Sequence, residues 1–156
     1  MIIVASFGLL CLLSLVLAWI DIRHGIIPDY LNLTIAGVGF LRTVIVSGPL
    51  IGLESVCEGV AIGATFWLLR RLYFSFRKIQ GLGLGDVKFL AAAGIWIGVA
   101  GLPMLLLVAA LTALVCTGVL QLAGRQFTGQ TSISFGPFLA FGLLFTTALQ
   151  QHWPCC

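Results

Sequence analysis

An all-α bundle of about six transmembrane helices is the fold class this sequence predicts, and three observations carry it. Of its 156 residues, 60% are apolar. Only 8% are charged, whereas a soluble surface needs roughly 25–35%. The apolar residues are gathered into long runs separated by short stretches of Gly, Pro and charge. The chain is too short for two domains, so residues 1–156 are expected to form a single membrane-embedded domain.

A spanning helix needs about 20 apolar residues, with a range of ~17–25. The first run, Ile2–Ile20, has no basic residue before it and no small-residue cleavage site after it. It therefore reads as a retained helix and not as a signal peptide. Tyr30–Ser47 and Leu53–Leu69 follow, and should form an antiparallel hairpin turning near Leu50. Arg42 lies as far before that turn as Glu58 lies after it. Equal depth predicts a buried structural ion pair, because either charge alone in hydrocarbon is costly. Glu54 is the alternative partner. The fourth and fifth spans, Val87–Gly101 and Pro103–Ala123, are divided on the strength of Gly98, Gly101 and Pro103. The sixth is Phe135–Leu149. Gly59 with Gly63, and Gly94 with Gly98, have the small-x-x-x-small spacing that lets helices approach closely.

Lys and Arg set the orientation. With the N-terminus outside, Arg23, Arg70, Arg71, Arg77, Lys78, Lys88 and Arg125 all fall on the cytoplasmic side, and only Arg42 is left inside a span. The positive-inside rule therefore selects N-out and C-out. No basic stripe suggests a nucleic-acid partner. The loop Arg70–Leu84 mixes basic and aromatic residues and suits an interfacial segment on anionic lipid, or a docking site for substrate. The five cysteines form no C-x-x-C pair, so no structural zinc is expected. Cys11, Cys57 and Cys116 read as small hydrophobes inside spans, and no role is expected for Cys155 and Cys156.

The orientation also brings Asp21 and Asp86 to one face, each at the end of an apolar run. An acid beside hydrocarbon is a functional candidate. Two carboxyl groups at one depth can share a proton, one activating water while the other hydrogen-bonds a scissile carbonyl. Gly83 and Gly85, just before Asp86, leave room for close approach and for an extended substrate. Simpler roles stand beside this one. Asp86 can cap the helix that follows it, and Asp21 can be an interfacial acid balanced by Arg23. Asp29, after Pro28, reads as a helix start, and His24 shares the Asp21 face only if the first helix continues. The acids form no metal-ligand spacing, so neither metal nor cofactor is expected. A small proton-coupled transporter with Asp21 and Asp86 as relay acids is the alternative function.

Three segments resemble the type IV prepilin peptidases. Asp21-Ile22-Arg23-His24-Gly25-Ile26-Ile27-Pro28-Asp29 resembles the family's first motif. Gly83-Leu84-Gly85-Asp86-Val87-Lys88 resembles its GxGD signature with the following lysine. Ser134-Phe135-Gly136-Pro137-Phe138-Leu139-Ala140 is similar to its C-terminal Phe-Gly-Pro segment. The resemblance implies an aspartic endopeptidase of the inner membrane with its site facing the cytoplasm. Asp21 and Asp86 would be the catalytic pair, supported by Pro28, Asp29, Gly83, Gly85, Lys88, Gly136 and Pro137. The implied partners are type IV prepilins, Tad prepilins or pseudopilins, whose short basic leader would be removed. A homo-oligomer stays open. Longer family members carry a cytoplasmic insertion with C-x-x-C pairs, and many methylate the new N-terminus. That insertion is not found in this sequence, so methyl transfer is not expected.

Overall fold

The computed structural model describes residues 1–77, 83–122 and 135–152, with the side chains of Phe76, Arg77 and His152 left aside. Five helices make up these residues: α1 (Ile2–His24), α2 (Asp29–Ser47), α3 (Pro49–Arg77), α4 (Leu84–Leu122) and α5 (Gly136–His152). The first four are long and apolar enough to cross a bilayer. At 17 residues, α5 stands at the short end of the spanning range. The molecule is a multi-pass membrane protein built entirely of helices, among the described residues.

Local chemistry sets the helix ends. Gly25 closes α1 in the left-handed region (φ 63°), where its N–H donates to Asp21 O. Pro28 is extended and precedes α2, whose first turn carries Asp29, an acid where the helix dipole favours one. Gly48 (φ 98°) turns the chain from α2 into α3, and Pro49 opens α3. The hairpin thus turns at Gly48 and not at Leu50. The helix that follows runs on to Arg77, so the first part of the basic-aromatic stretch from Arg70 is helical and not loop.

Packing inverts the pattern of a soluble protein. The buried side of α1 is Ser6, Leu10, Ser14, Leu17 and Asp21, while large apolar residues such as Leu12, Leu15 and Trp19 face outward. Lipid is as apolar as leucine, so small and polar residues collect between helices. α3 and α4 meet at Gly59, Gly63 and Gly94. A Cβ on Gly94 would come within 3.1 Å of the Gly59 Cα, and one on Gly63 within 2.9 Å of the Ala91 Cβ. α2 and α4 are joined at Gly39, on which the Trp96 ring rests, while Trp96 Nε1 donates to Ile35 O at 2.8 Å.

Gly98 breaks α4 (φ 68°, ψ 179°). Gln150, near the end of α5, donates from Nε2 to Ile97 O at 3.1 Å and also lies against Gly101. Further along the second half, Leu105 O and Ala109 meet Gly142, nearer the start of α5. Residues 99–122 therefore run antiparallel to α5, whereas 84–97 run alongside it in the same direction. The chain reverses at Gly98, one of the three positions where the sequence predicts a division between spans.

Candidate active site

One end of the bundle collects the motif residues. Asp21 occupies the last turn of α1 with only 4% of its surface exposed. The first residue of α5, Gly136, presses on it, so a Cβ there would run into the Asp21 carboxylate. Pro137 follows in the first turn of α5, where a missing N–H costs nothing. The Phe135 and Phe138 rings meet at a tilt of 51° beside this turn, 6.2 Å between ring centres.

Asp86 lies in the first turn of α4, which begins at Leu84. Val87 N–H donates to Gly83 O, placing Gly83 at the cap and Asp86 three residues into the helix. Its carboxylate turns back against Gly83, in the place of the acidic half of a capping box. Capping and proximity to Asp21 go together here: the Asp21 carboxylate is near enough for its charge to act on Asp86. The two acids come to the same end of the bundle although α1 and α4 do not pack directly, among the described residues. Both helices instead lean on α2 and α5.

The motif glycines act through missing Cβ atoms, not through unusual backbone angles. Positive φ is found only at Gly25, Gly48 and Gly98 among the described residues. Gly85 is helical, and its bare Cα admits Ile27, whose Cβ would lie 2.9 Å from an added Cβ. At Gly83 the same space is taken by the Asp86 carboxylate, 3.1 Å away. Gly85 is thus a contact point between the first and second motifs, and Gly83 leaves room for the Asp86 carboxylate within the second.

Lys88 and Asp29 tie these motifs by a second contact. Lys88 Nζ lies 2.6 Å from Asp29 Oδ2. Nothing in the sequence pairs these two residues. Their helices converge, so a lysine two positions past Asp86 meets the acid that begins α2. His24 lies on the exposed side of α1 and takes no part in this contact.

Arg42 and Glu58 differ from expectation. They line one cavity of about 230 Å³ but form no ion pair. Because the turn is at Gly48, Arg42 precedes it by six residues and Glu58 follows it by ten. The mismatch is one helical turn, about 6 Å. Arg42 instead lies over the Trp96 ring at 5.5 Å, a cation–π contact, and the Glu58 carboxylate lies against Gly98. Cys11, Cys57 and Cys116 are free thiols. Lys78, Arg125, Ser134, Cys155 and Cys156 lie outside the described residues. Also missed by sequence reasoning is Asn32, which is 5% exposed with both amide atoms unpartnered. A polar residue three positions after Asp29 was the only signal of it.

Helices that hide small and polar residues, with two buried or half-buried carboxyl groups at one end, define a multi-pass membrane protein. Comparison with known proteins places it further. The profile of the type IV leader peptidase family matches residues 8–118, and the chain belongs to that family. Among curated relatives, the prepilin leader peptidase/N-methyltransferase of Pectobacterium carotovorum subsp. carotovorum is 40% identical over 147 residues, covering 90% of this chain and 50% of that protein. The proteins of the same name from Burkholderia pseudomallei (strain K96243) and Escherichia coli (strain K12) are 36% and 37% identical, covering 88% and 82% of this chain and 44% and 56% of their own lengths. The chain spans about half the length of the curated relatives it matches. No solved structure matches it significantly.

Proposed function

We propose that this chain is an aspartic endopeptidase that removes the short basic leader from prepilin-like precursors. The observation that carries the proposal is the placement of Asp21 and Asp86 at one end of the bundle, with Gly136 pressed on the first and Gly83 on the second. One carboxylate draws a proton from water. The other, protonated, gives its proton to the scissile carbonyl oxygen as the water oxygen bonds to the carbon; when the C–N bond breaks, the first acid passes its proton to the leaving amine and the second takes back the diol proton, so the pair again shares one proton. The two carboxylates of the site suit a basic leader. Family membership and the names of the relatives support the substrate class.

In this reading the chain crosses the inner membrane six times as one peptidase domain, with both ends outside and the aspartates at the cytoplasmic face. The reversal at Gly98 supports six crossings, since it turns α4 into two antiparallel segments. Arg23, Arg70, Arg71, Arg77 and Lys88 sit on helix ends that point toward the aspartate end, which supports the orientation. The transporter alternative would need acids strung across the bilayer, and these two share one end. The test is leader removal from a co-expressed prepilin, followed on a gel. Wild type should cleave, while Asp21→Asn and Asp86→Asn should insert normally and leave the precursor intact. Processing by either variant would sink the dyad.

A further inference from the structure

The end of the bundle opposite the aspartates holds a second polar site. Arg42 and Trp96 form the wall between two cavities. The first, with Glu58, was described above. The second, about 240 Å³, is lined by Ile3, Arg42, Trp96, Thr147, Gln150 and Gln151. Among the described residues its lining contains a cation and two amides but no acid. Arg42 Nε and Gln151 Nε2 are both buried and both lack an acceptor. Gln150 is held to Ile97 O, the carbonyl next to the break at Gly98. The Thr147 hydroxyl donates to Leu143 O, leaving its oxygen free to accept.

Two buried donors without acceptors are expensive inside a bundle. Their joint demand is for an oxygen-rich, negatively charged group, and a guanidinium meets phosphate with a planar fork of donors. Four of the five helices contribute to this lining, which makes the cavity part of the folded bundle and not a surface accident. Its position also limits the ligand. Arg42 lies five residues before the end of α2, about 8 Å from the helix terminus. That depth is within reach of lipid headgroups and of solutes from the outer side.

We propose that this cavity binds a phosphate-bearing anion, held by Arg42 and Gln151, either as an anionic phospholipid headgroup or as free phosphate. The proposal is independent of the peptidase reading, because its readout is binding and not cleavage. The purified full chain, stripped of lipid in a zwitterionic detergent, is titrated with short-chain phosphatidylglycerol, short-chain phosphatidylcholine and inorganic phosphate at constant ionic strength. Thermal unfolding and native mass spectrometry report binding. Phosphatidylglycerol should raise the unfolding temperature and form a one-to-one adduct, and phosphatidylcholine should do neither. Arg42→Gln should weaken the binding about tenfold or more, and Arg42→Lys should fall between, since it keeps the charge and loses the fork. An equal, Arg42-dependent shift with inorganic phosphate assigns the site to the free ion, and a shift with the lipid alone assigns it to the headgroup. Equal response to both lipids with none to phosphate, or titrations of Arg42→Gln that overlay wild type, would overturn the proposal. Should Arg42→Gln fail to insert, Gln151→Leu replaces it. Weaker phosphatidylglycerol or phosphate binding by that variant supports the site, and unchanged binding overturns it.

Discussion

Gly136 touches Asp21 so closely that it acts as a positioning residue for that carboxylate. An alanine there must displace either the acid or the start of α5. A shift of about 1 Å at a reacting group costs on the order of 10²-fold in rate. Gly136→Ala should therefore lower kcat for leader cleavage by about that factor, while KM and the unfolding temperature stay close to wild type. A loss expressed mainly in KM or in folding would show that Gly136 only shapes the bundle. Lys88 and Asp29 carry a short contact, 2.6 Å, but both are half-exposed or more. An exposed pair contributes ~0–1 kcal/mol. Lys88→Met should change stability by less than about 1 kcal/mol, measured by unfolding in mixed micelles. A larger loss would mean that the pair fastens α2 to α4. Asp86 was legible as a candidate from its place at the head of an apolar run, and so was its competing role as a cap. In the structure its carboxylate lies against Gly83 at the head of α4, and Asp21 lies at the same end of the bundle.

At the scale of single helices, the glycines divide by what surrounds them. A Cβ on Gly94 would meet Ile62 at 2.6 Å and the Gly59 backbone at 3.1 Å, whereas one on Gly118 meets nothing within 4 Å. Overpacking costs about 1–3 kcal/mol. Gly94→Ala should lose stability of that order, and Gly118→Ala should be neutral or gain up to about 1 kcal/mol from better helix propensity. Equal effects at the two positions, read by reversible unfolding, would refute the close α3–α4 seam. Gly98 is different again. Its φ of 68° with ψ of 179° is nearly closed to other residues, so alanine costs about 1–3 kcal/mol and would also press on Glu58. The small-x-x-x-small spacing pointed to Gly59, Gly63 and Gly94 as packing positions. It grouped Gly98 with them, and Gly98 does lie against Glu58 of α3, but spacing does not report its backbone angle. The Arg42–Glu58 pair failed for a similar reason: depth was counted from Leu50, and the chain turns at Gly48.

For the molecule as a whole, the aspartate end and the Arg42 end are opposite faces of the bundle. Six crossings with both termini outside predict that a cysteine placed at Ser47 is labelled by an impermeant reagent from the outer side, and one at Ser75 only after the cell is opened. The opposite pattern would invert the protein and move the aspartates outward. This experiment reads topology alone, so it stands whether or not cleavage is observed.

Hydropathy determined that this chain lives in a bilayer, and roughly where its helices lie, because burying backbone in hydrocarbon leaves few structures to choose from. Charge placement and the three motif segments pointed to Asp21 and Asp86. Only the tertiary structure decided how they meet. Their helices do not pack on each other, and the approach depends on bare Cα atoms at Gly85 and Gly136 pressed against Ile27 and Asp21. Such contacts are set by the angles between helices, which no residue-by-residue pattern contains. The same holds at the opposite end, where Arg42 gained a tryptophan and a cavity in place of the acid expected beside it.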